Sequence, residues 1–132
     1  MITRLEILKG RDHVHPLTPE LEANLTVLLE RLNKLRQVWG KPMIVTSGYR
    51  PAEINALAGG ALKSRHITCQ AADISDPEHE LINWLLAEPN RLKDFGFWME
   101  HPEATKNWVH LQVVPPASGL RVFRVKPAQL LS

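Results

Sequence analysis

The chain has 132 residues, is 44% hydrophobic and 23% charged, and carries one cysteine, Cys69. This is ordinary globular composition, and the length leads us to expect a single domain over residues 1–132, with a core large enough to need no staples. One cysteine excludes an internal disulfide. Sixteen basic and fourteen acidic residues leave a net charge of +2 without a run of like charge, which argues against nucleic acid as a partner.

The opening Met-Ile-Thr-Arg-Leu-Glu-Ile-Leu-Lys-Gly places Arg4 and Glu6 inside its apolar stretch and offers no small-residue cleavage site. It is not expected to act as a secretory signal. No apolar run approaches the ~20 residues of a membrane span. The expectation is a soluble monomer made in the cytoplasm, without membrane association, for which any later export needs another route.

Ten prolines and seven glycines punctuate the chain into short elements. Thr18-Pro19-Glu20 combines a capping hydroxyl, a proline suited to a first turn and a carboxylate at the positive dipole end, so a helix is expected to begin there. Leu21, Leu25, Leu28, Leu29, Leu32, Leu35 and Trp39 recur at steps of three and four, as a buried stripe does; Gly40 and Pro42 end it. Residues 43–46 read as a buried strand and residues 51–57 as a short helix broken by Ala58-Gly59-Gly60.

Asp76-Pro77 repeats the cap-then-proline pattern, with Leu81, Ile82, Trp84, Leu85 and Leu86 as the buried side of a second helix of about three turns, stopped by Pro89. Residues 95–99 and 108–114 are strand candidates, the second with Val109, Leu111 and Val113 alternating against His110, Gln112 and Val114. A last short strand is expected over residues 121–125, where Arg121, Arg124 and Lys126 alternate with Val122, Phe123 and Val125 as on a charged edge. The sum is an α+β fold, with two principal helices beside a small antiparallel sheet.

Polar residues gather at Ser47-Gly48-Tyr49-Arg50, from Ser64-Arg65-His66 to Asp73, and at Asn107-Trp108-Val109-His110. His66 and Asp73 are seven apart and would face opposite ways on one continuous strand. A turn through Thr68-Cys69-Gln70 would let them converge. With His110 added, the set is two imidazoles and a carboxylate, the donor types and number of a catalytic zinc site with one position left open. A closed structural site would draw on several cysteines.

The run Ser64-Arg65-His66-Ile67-Thr68-Cys69-Gln70-Ala71-Ala72-Asp73 resembles the S-x-H-x-x-G-x-A-x-D signature of the zinc D-alanyl-D-alanine carboxypeptidases, a family that includes phage L-alanyl-D-glutamate endolysins and is related to the Hedgehog amino-terminal domain. Ser47-Gly48-Tyr49-Arg50 and Trp108-Val109-His110 stand before and after it in the order of that family, and the resemblance spans roughly residues 15–125. The small phage-encoded members look closest. The resemblance implies a Hedgehog/DD-peptidase-like fold, zinc held by His66, Asp73 and His110, and a peptidoglycan stem peptide as substrate. It further implies that Arg50 engages a substrate carboxylate or carbonyl, that Ser64 donates a hydrogen bond to the bound peptide, and that zinc activates the attacking water. Trp108 is placed near the cleft, as is Trp98.

Two departures from the pattern matter. The usual glycine is Cys69, which is tolerable if the turn needs no positive φ and which puts a thiol near the proposed metal. Position 107, where many members carry the general-base carboxylate, is Asn107, and an amide cannot accept the proton. Glu100 is the first replacement, at the end of a strand and before the His101-Pro102 turn; Glu103 is second and His101 third.

The remaining histidines have blander readings. His13 and His15 flank Val14 as a surface pair or a contact at the start of the first helix, and His79 sits on a solvated helix face. Trp39 and Trp84 fall on apolar helix faces and read as core. Arg65 reads as an exposed loop arginine.

The expected function is therefore a zinc metallopeptidase cleaving a peptidoglycan bond of the D-Ala-D-Ala or L-Ala-D-Glu type, reaching the wall by phage-mediated release. The rival is a zinc-binding or wall-binding module of the same fold with impaired catalysis, which Asn107 favours. A metal-free interaction domain would leave the three motifs as coincidence.

Overall fold

A computed structural model describes residues 1–57 and 64–125. The expected break at Ala58-Gly59-Gly60, and Lys126, lie outside the described residues.

The long amphipathic helix forms as its end signals dictate. α2 runs over Pro19–Trp39, with the Thr18 hydroxyl accepting from the Leu21 amide and Gly40 closing the helix at φ +79°. Leu25, Leu28, Leu32 and Leu35 are fully buried, Leu21, Leu29 and Trp39 partly, and each buried leucine contributes roughly 1.5–3 kcal/mol against exposure. Before it lie α1 (Arg4–Leu8) and a single 3-10 turn (Arg11–His13), neither of them evident from the sequence. Both are too short to show a helical period. α1 is fixed by docking: Ile2, Ile7 and Leu8 enter the core, and Asn33 exchanges hydrogen bonds with the Ile2 backbone.

Among the described residues five strands form one sheet: β1 (Val45–Ser47), β2 (Ala71–Ser75), β3 (Trp98–Glu100), β4 (Trp108–Gln112) and β5 (Val122–Phe123), in the order β1-β2-β4-β3-β5. The sheet is mixed, not wholly antiparallel as expected, because the edge strand β5 runs parallel to β3. Between them the chain runs down β4 and returns, which reverses its direction twice. β1 sits slightly later than residues 43–46, and its register against β2 slips between Val45↔Ile74 and Ser47↔Asp73. Thr46 is the extra residue, a bulge that bends β1 toward the Ser47-Gly48 turn.

Two further boundaries move. Residues 51–57 give α3 over Ala52–Leu57 as expected, whereas the helix after Asp76 is only α4 (Glu80–Leu86). Pro77 lies in a turn, and the buried Asp76 carboxylate caps from farther off, accepting from the amides of Leu81 at 3.0 Å and Ile82 at 2.9 Å. Phe95 belongs to a one-turn helix, α5 (Arg91–Phe95), that ends at Gly96 in the left-handed region. His79 precedes α4 and its Nε2 lies 2.7 Å from the Lys106 carbonyl.

Alternation along the central strands separates two faces. Ile74, Val109, Leu111 and Met99 join the leucines of α2 and Leu81 and Leu85 of α4 in the core. Asp73 and His110 are directly paired and share the other face. That second face carries the site.

Candidate metal centre

The turn between His66 and Asp73 exists, and Cys69 makes it. Residues 65–69 form consecutive turns, with the Gln70 amide bonded to Arg65 O at 2.9 Å and the Thr68 carbonyl held by Asn24 Nδ2 at 3.0 Å. Cys69 closes this reversal at φ +60°, the left-handed conformation in which a glycine is unstrained. The condition set from sequence for tolerating a cysteine, a turn that needs no positive φ, is therefore not met. Its thiol is also directed elsewhere: Cys69 is wholly buried in the core with Tyr49, and burial pushes the thiol up to about 12. The group able to hold a metal among the described residues is His66, Asp73 and His110 alone.

Those three converge closely. One ligand atom from each lies within 4.8 Å of the other two; Asp73 Oδ1 is 2.8 Å from His110 Nδ1 and 3.3 Å from His66 Nε2. The two rings meet edge to face with centroids 5.2 Å apart. His66 is buried and the other two nearly so.

The outward nitrogens decide what the inward atoms are. His66 Nδ1 lies 2.8 Å from the Gly48 carbonyl oxygen, and His110 Nε2 lies 2.9 Å from Gln112 Oε1. Both partners only accept, so each ring keeps a proton on its outward nitrogen, and with a metal in place of the protons shared with Asp73 each neutral ring would turn a lone pair inward. Two lone pairs and a carboxylate then face one another across a small gap, an arrangement that calls for a cation between them. The donor set, neutral imidazole nitrogen and carboxylate oxygen, fits zinc.

The electrostatics of the metal-free protein follow from the same contacts. Burial pushes the Asp73 carboxyl up, but the bonds to His110 and His66 outweigh it and hold Asp73 well below the usual carboxylate range. Burial lowers His66, only partly offset by Asp73. For His110 burial also lowers, yet the Asp73 bond wins and the imidazole is raised.

Around the three lie the other residues singled out from sequence. The Arg50 amide bonds the His66 carbonyl at 3.0 Å, so its side chain starts beside the centre; burial lowers its guanidinium despite the nearby Asp73 charge, and the buried Nε has no hydrogen-bond partner among the described residues. Ser64 Oγ accepts from the His66 amide at 3.2 Å, which fixes the loop and leaves the hydroxyl proton available. Continuing the Trp98↔Gln112 and Met99↔Leu111 pairing by one step sets Glu100 opposite His110 on the site face. Burial raises the Glu100 carboxyl, against the pull of His110.

Several residues are not part of this group. Glu103 is exposed and paired with Arg124, which also meets His101 Nε2 at 3.1 Å. Asn107 is exposed, with its backbone carbonyl bonded to the Asp76 amide. Trp108 starts β4 and lines a cleft of ≈ 410 Å³ with Pro77, Ile82, Leu86 and Pro102; none of the three clustered residues lines it. Trp98 lies on the site face beneath the Arg121 guanidinium, 4.0 Å from its ring centroid. Sequence reasoning passed over Gly48, which sits within a motif it marked, and Gln112, which sits two residues past one, on a strand it marked.

Two imidazoles and a carboxylate brought to one point by a small sheet and the turn beside it define an α+β protein with a candidate mononuclear metal site. The family model described as Peptidase M15 matches residues 3–112, and the chain belongs to this family of zinc-dependent peptidases. A search of curated proteins finds no match. No helix among the described residues is long and apolar enough to cross a membrane.

Proposed function

We propose that the protein is a zinc metallopeptidase that hydrolyses a peptide bond in the stem peptides of bacterial peptidoglycan, of the D-Ala-D-Ala carboxypeptidase or L-Ala-D-Glu endopeptidase type. What carries this is the convergence of His66 Nε2, Asp73 Oδ1 and His110 Nδ1 with both outer ring nitrogens already committed to oxygen acceptors. Bound by these three, zinc supplies Lewis-acid chemistry, polarising a scissile carbonyl and making water a nucleophile near neutral pH.

The chain's own residues do the rest. Arg50, half-buried and with Nε unpartnered among the described residues, binds a substrate carboxylate through its planar fork, a task for which a desolvated guanidinium is suited. Ser64, anchored through its accepting lone pair, donates its proton to a peptide carbonyl. Glu100 accepts the proton released by the attacking water and returns it to the leaving amine; its burial raises the carboxyl toward the range where a base is effective. Glu100 thereby takes over the task that Asn107 is chemically unable to perform. Bacterial stem peptides suit this set because they end in carboxylates that Arg50 would grip.

The test is metal content of protein purified without added metal, with release of amino acids from purified peptidoglycan measured on the same sample. Near-stoichiometric zinc with release is expected. Zinc without release would leave the impaired module that Asn107 favours, and absence of zinc after reconstitution would overturn the metal centre.

A further inference from the structure

Gln112 ends β4 two positions beyond His110 on the same face of the strand, and only 5% of it is exposed. Its Oε1 lies 2.9 Å from His110 Nε2, while its Nε2 donates to the Val114 carbonyl at 3.0 Å. The second bond determines the first. A backbone carbonyl only accepts, so the amide must turn its NH2 toward Val114 and its oxygen toward the imidazole. The Nε2 proton of His110 is thereby held by Gln112, and Nδ1, 2.8 Å from Asp73 Oδ1, is the nitrogen left to offer its lone pair when a metal replaces the proton shared with Asp73.

We propose that Gln112 is a positioning residue of the metal centre, locking His110 in the tautomer and ring rotation that ligate through Nδ1. This rests on reading His66, Asp73 and His110 as the zinc site and adds a residue outside the ligand set. The strand geometry explains the residue type. Same-face neighbours two apart stand ~6.6 Å from each other along a strand, so the side chain must be long and fold back to reach Nε2. Its cross-strand neighbours are Ala71 and Trp98, one small and one broad, which leave room for the fold and confine it. A neutral amide also holds the proton without adding charge beside Asp73 and Glu100. Removing such an outer partner typically weakens metal binding ~10–100-fold.

The experiment compares zinc dissociation constants, by competition with a chromophoric chelator, for the parent, Gln112→Met and Gln112→Glu, together with 15N shifts of the His110 ring in the zinc-loaded parent. Gln112→Met keeps the shape and loses the acceptor; it is expected to bind zinc ~10–100-fold more weakly. Gln112→Glu keeps the acceptor and is expected to retain most of the affinity. The parent ring is expected to show a protonated Nε2 and a metal-shifted Nδ1, a readout that needs no variant to fold. Equal affinity in the parent and Gln112→Met, or ligation through Nε2, would overturn the role of Gln112 while leaving the zinc site standing. A parent that binds no zinc would overturn the site itself, and the role of Gln112 with it.

Discussion

The carbonyl oxygen of Gly48 lies 2.8 Å from His66 Nδ1, and Gly48 is the residue on which α1 docks. A Cβ at this position would stand 2.4 Å from the Ile7 carbonyl oxygen and 2.8 Å from its Cα, contacts that backbone cannot yield cheaply. The neighbouring Tyr49 amide bonds that same oxygen at 2.9 Å, and Lys9 Nζ reaches the Val45 carbonyl at 3.0 Å. The amino-terminal helix is thus tied to the turn that orients one of the clustered imidazoles. Gly48→Ala is expected to destabilise the fold by about 1–3 kcal/mol and to weaken zinc binding, because the carbonyl must move off His66. Thermal melting and zinc titration read the two effects; an unchanged pair would show that the turn absorbs a side chain.

If the three clustered residues hold zinc, folding and metal binding are linked. Free zinc at 100 times its dissociation constant is expected to stabilise the parent by about 2.7 kcal/mol, and a chelator to remove that increment. His66→Ala deletes a donor and Asp73→Asn replaces the anionic carboxylate with a neutral amide; both are expected to abolish the zinc-dependent rise in melting temperature. Stoichiometric zinc retained by His66→Ala would sink the ligand assignment.

Glu100 is separable from its rivals by substitution. Glu100→Gln is expected to lower kcat by about 10²–10⁴-fold with zinc content intact, whereas Glu103→Gln, at an exposed residue paired with Arg124, is expected to leave hydrolysis unchanged. Equal rates in the parent and Glu100→Gln would remove Glu100 from the mechanism. The pH dependence of stability has a definite sign. Burial raises the Glu100 carboxyl, so between the ordinary value near ~4.3 and the raised one the folded metal-free protein keeps a proton that the unfolded chain has lost. Its contribution to stability is fully present below that window and is lost as pH rises through it. Glu100→Gln should flatten this limb in metal-free denaturation curves.

How much of this was legible in the sequence follows from which signals are local. Thr18, Pro19 and Gly40 carry their own helix-end chemistry, and α2 falls where they dictate. His66, Asp73 and His110 were legible through motif order and donor chemistry. The α1 and α5 helices were not, because a turn or so of helix has no period and is held by docking. Asp76 marked a cap, but its reach to Leu81 and Ile82 depends on a turn that the Asp-Pro pair does not specify. Gly48 and Gln112 were missed for a shared reason. One acts through a backbone carbonyl and the other through strand register, so neither side-chain type announces a metal centre.

Arg50 tests how the substrate is held. Arg50→Lys keeps the charge but replaces a fork with a point, so one charge-assisted bond is lost, about 1.5–3 kcal/mol. The expected result is a fall in kcat/KM of about 10–100-fold on a peptide with a free carboxylate, with a much smaller change on the same peptide amidated there. Equal falls on both would assign Arg50 to a carbonyl instead.

Cys69 carries the last prediction, because sequence and structure give it different surroundings. A thiol beside the metal would be deprotonated and would bind it. Instead the side chain is wholly buried in the core and burial pushes its thiol up to about 12, so the thiol stays protonated at pH 8. Iodoacetamide at pH 8 is therefore expected to leave the native protein unmodified and to label it stoichiometrically after denaturation. Cys69→Gly is expected to preserve zinc stoichiometry, since glycine adopts φ +60° without strain, whereas Cys69→Val forces a β-branched side chain into the left-handed region and should destabilise the turn. Loss of zinc from Cys69→Gly, with the fold intact by circular dichroism, would return the thiol to the metal.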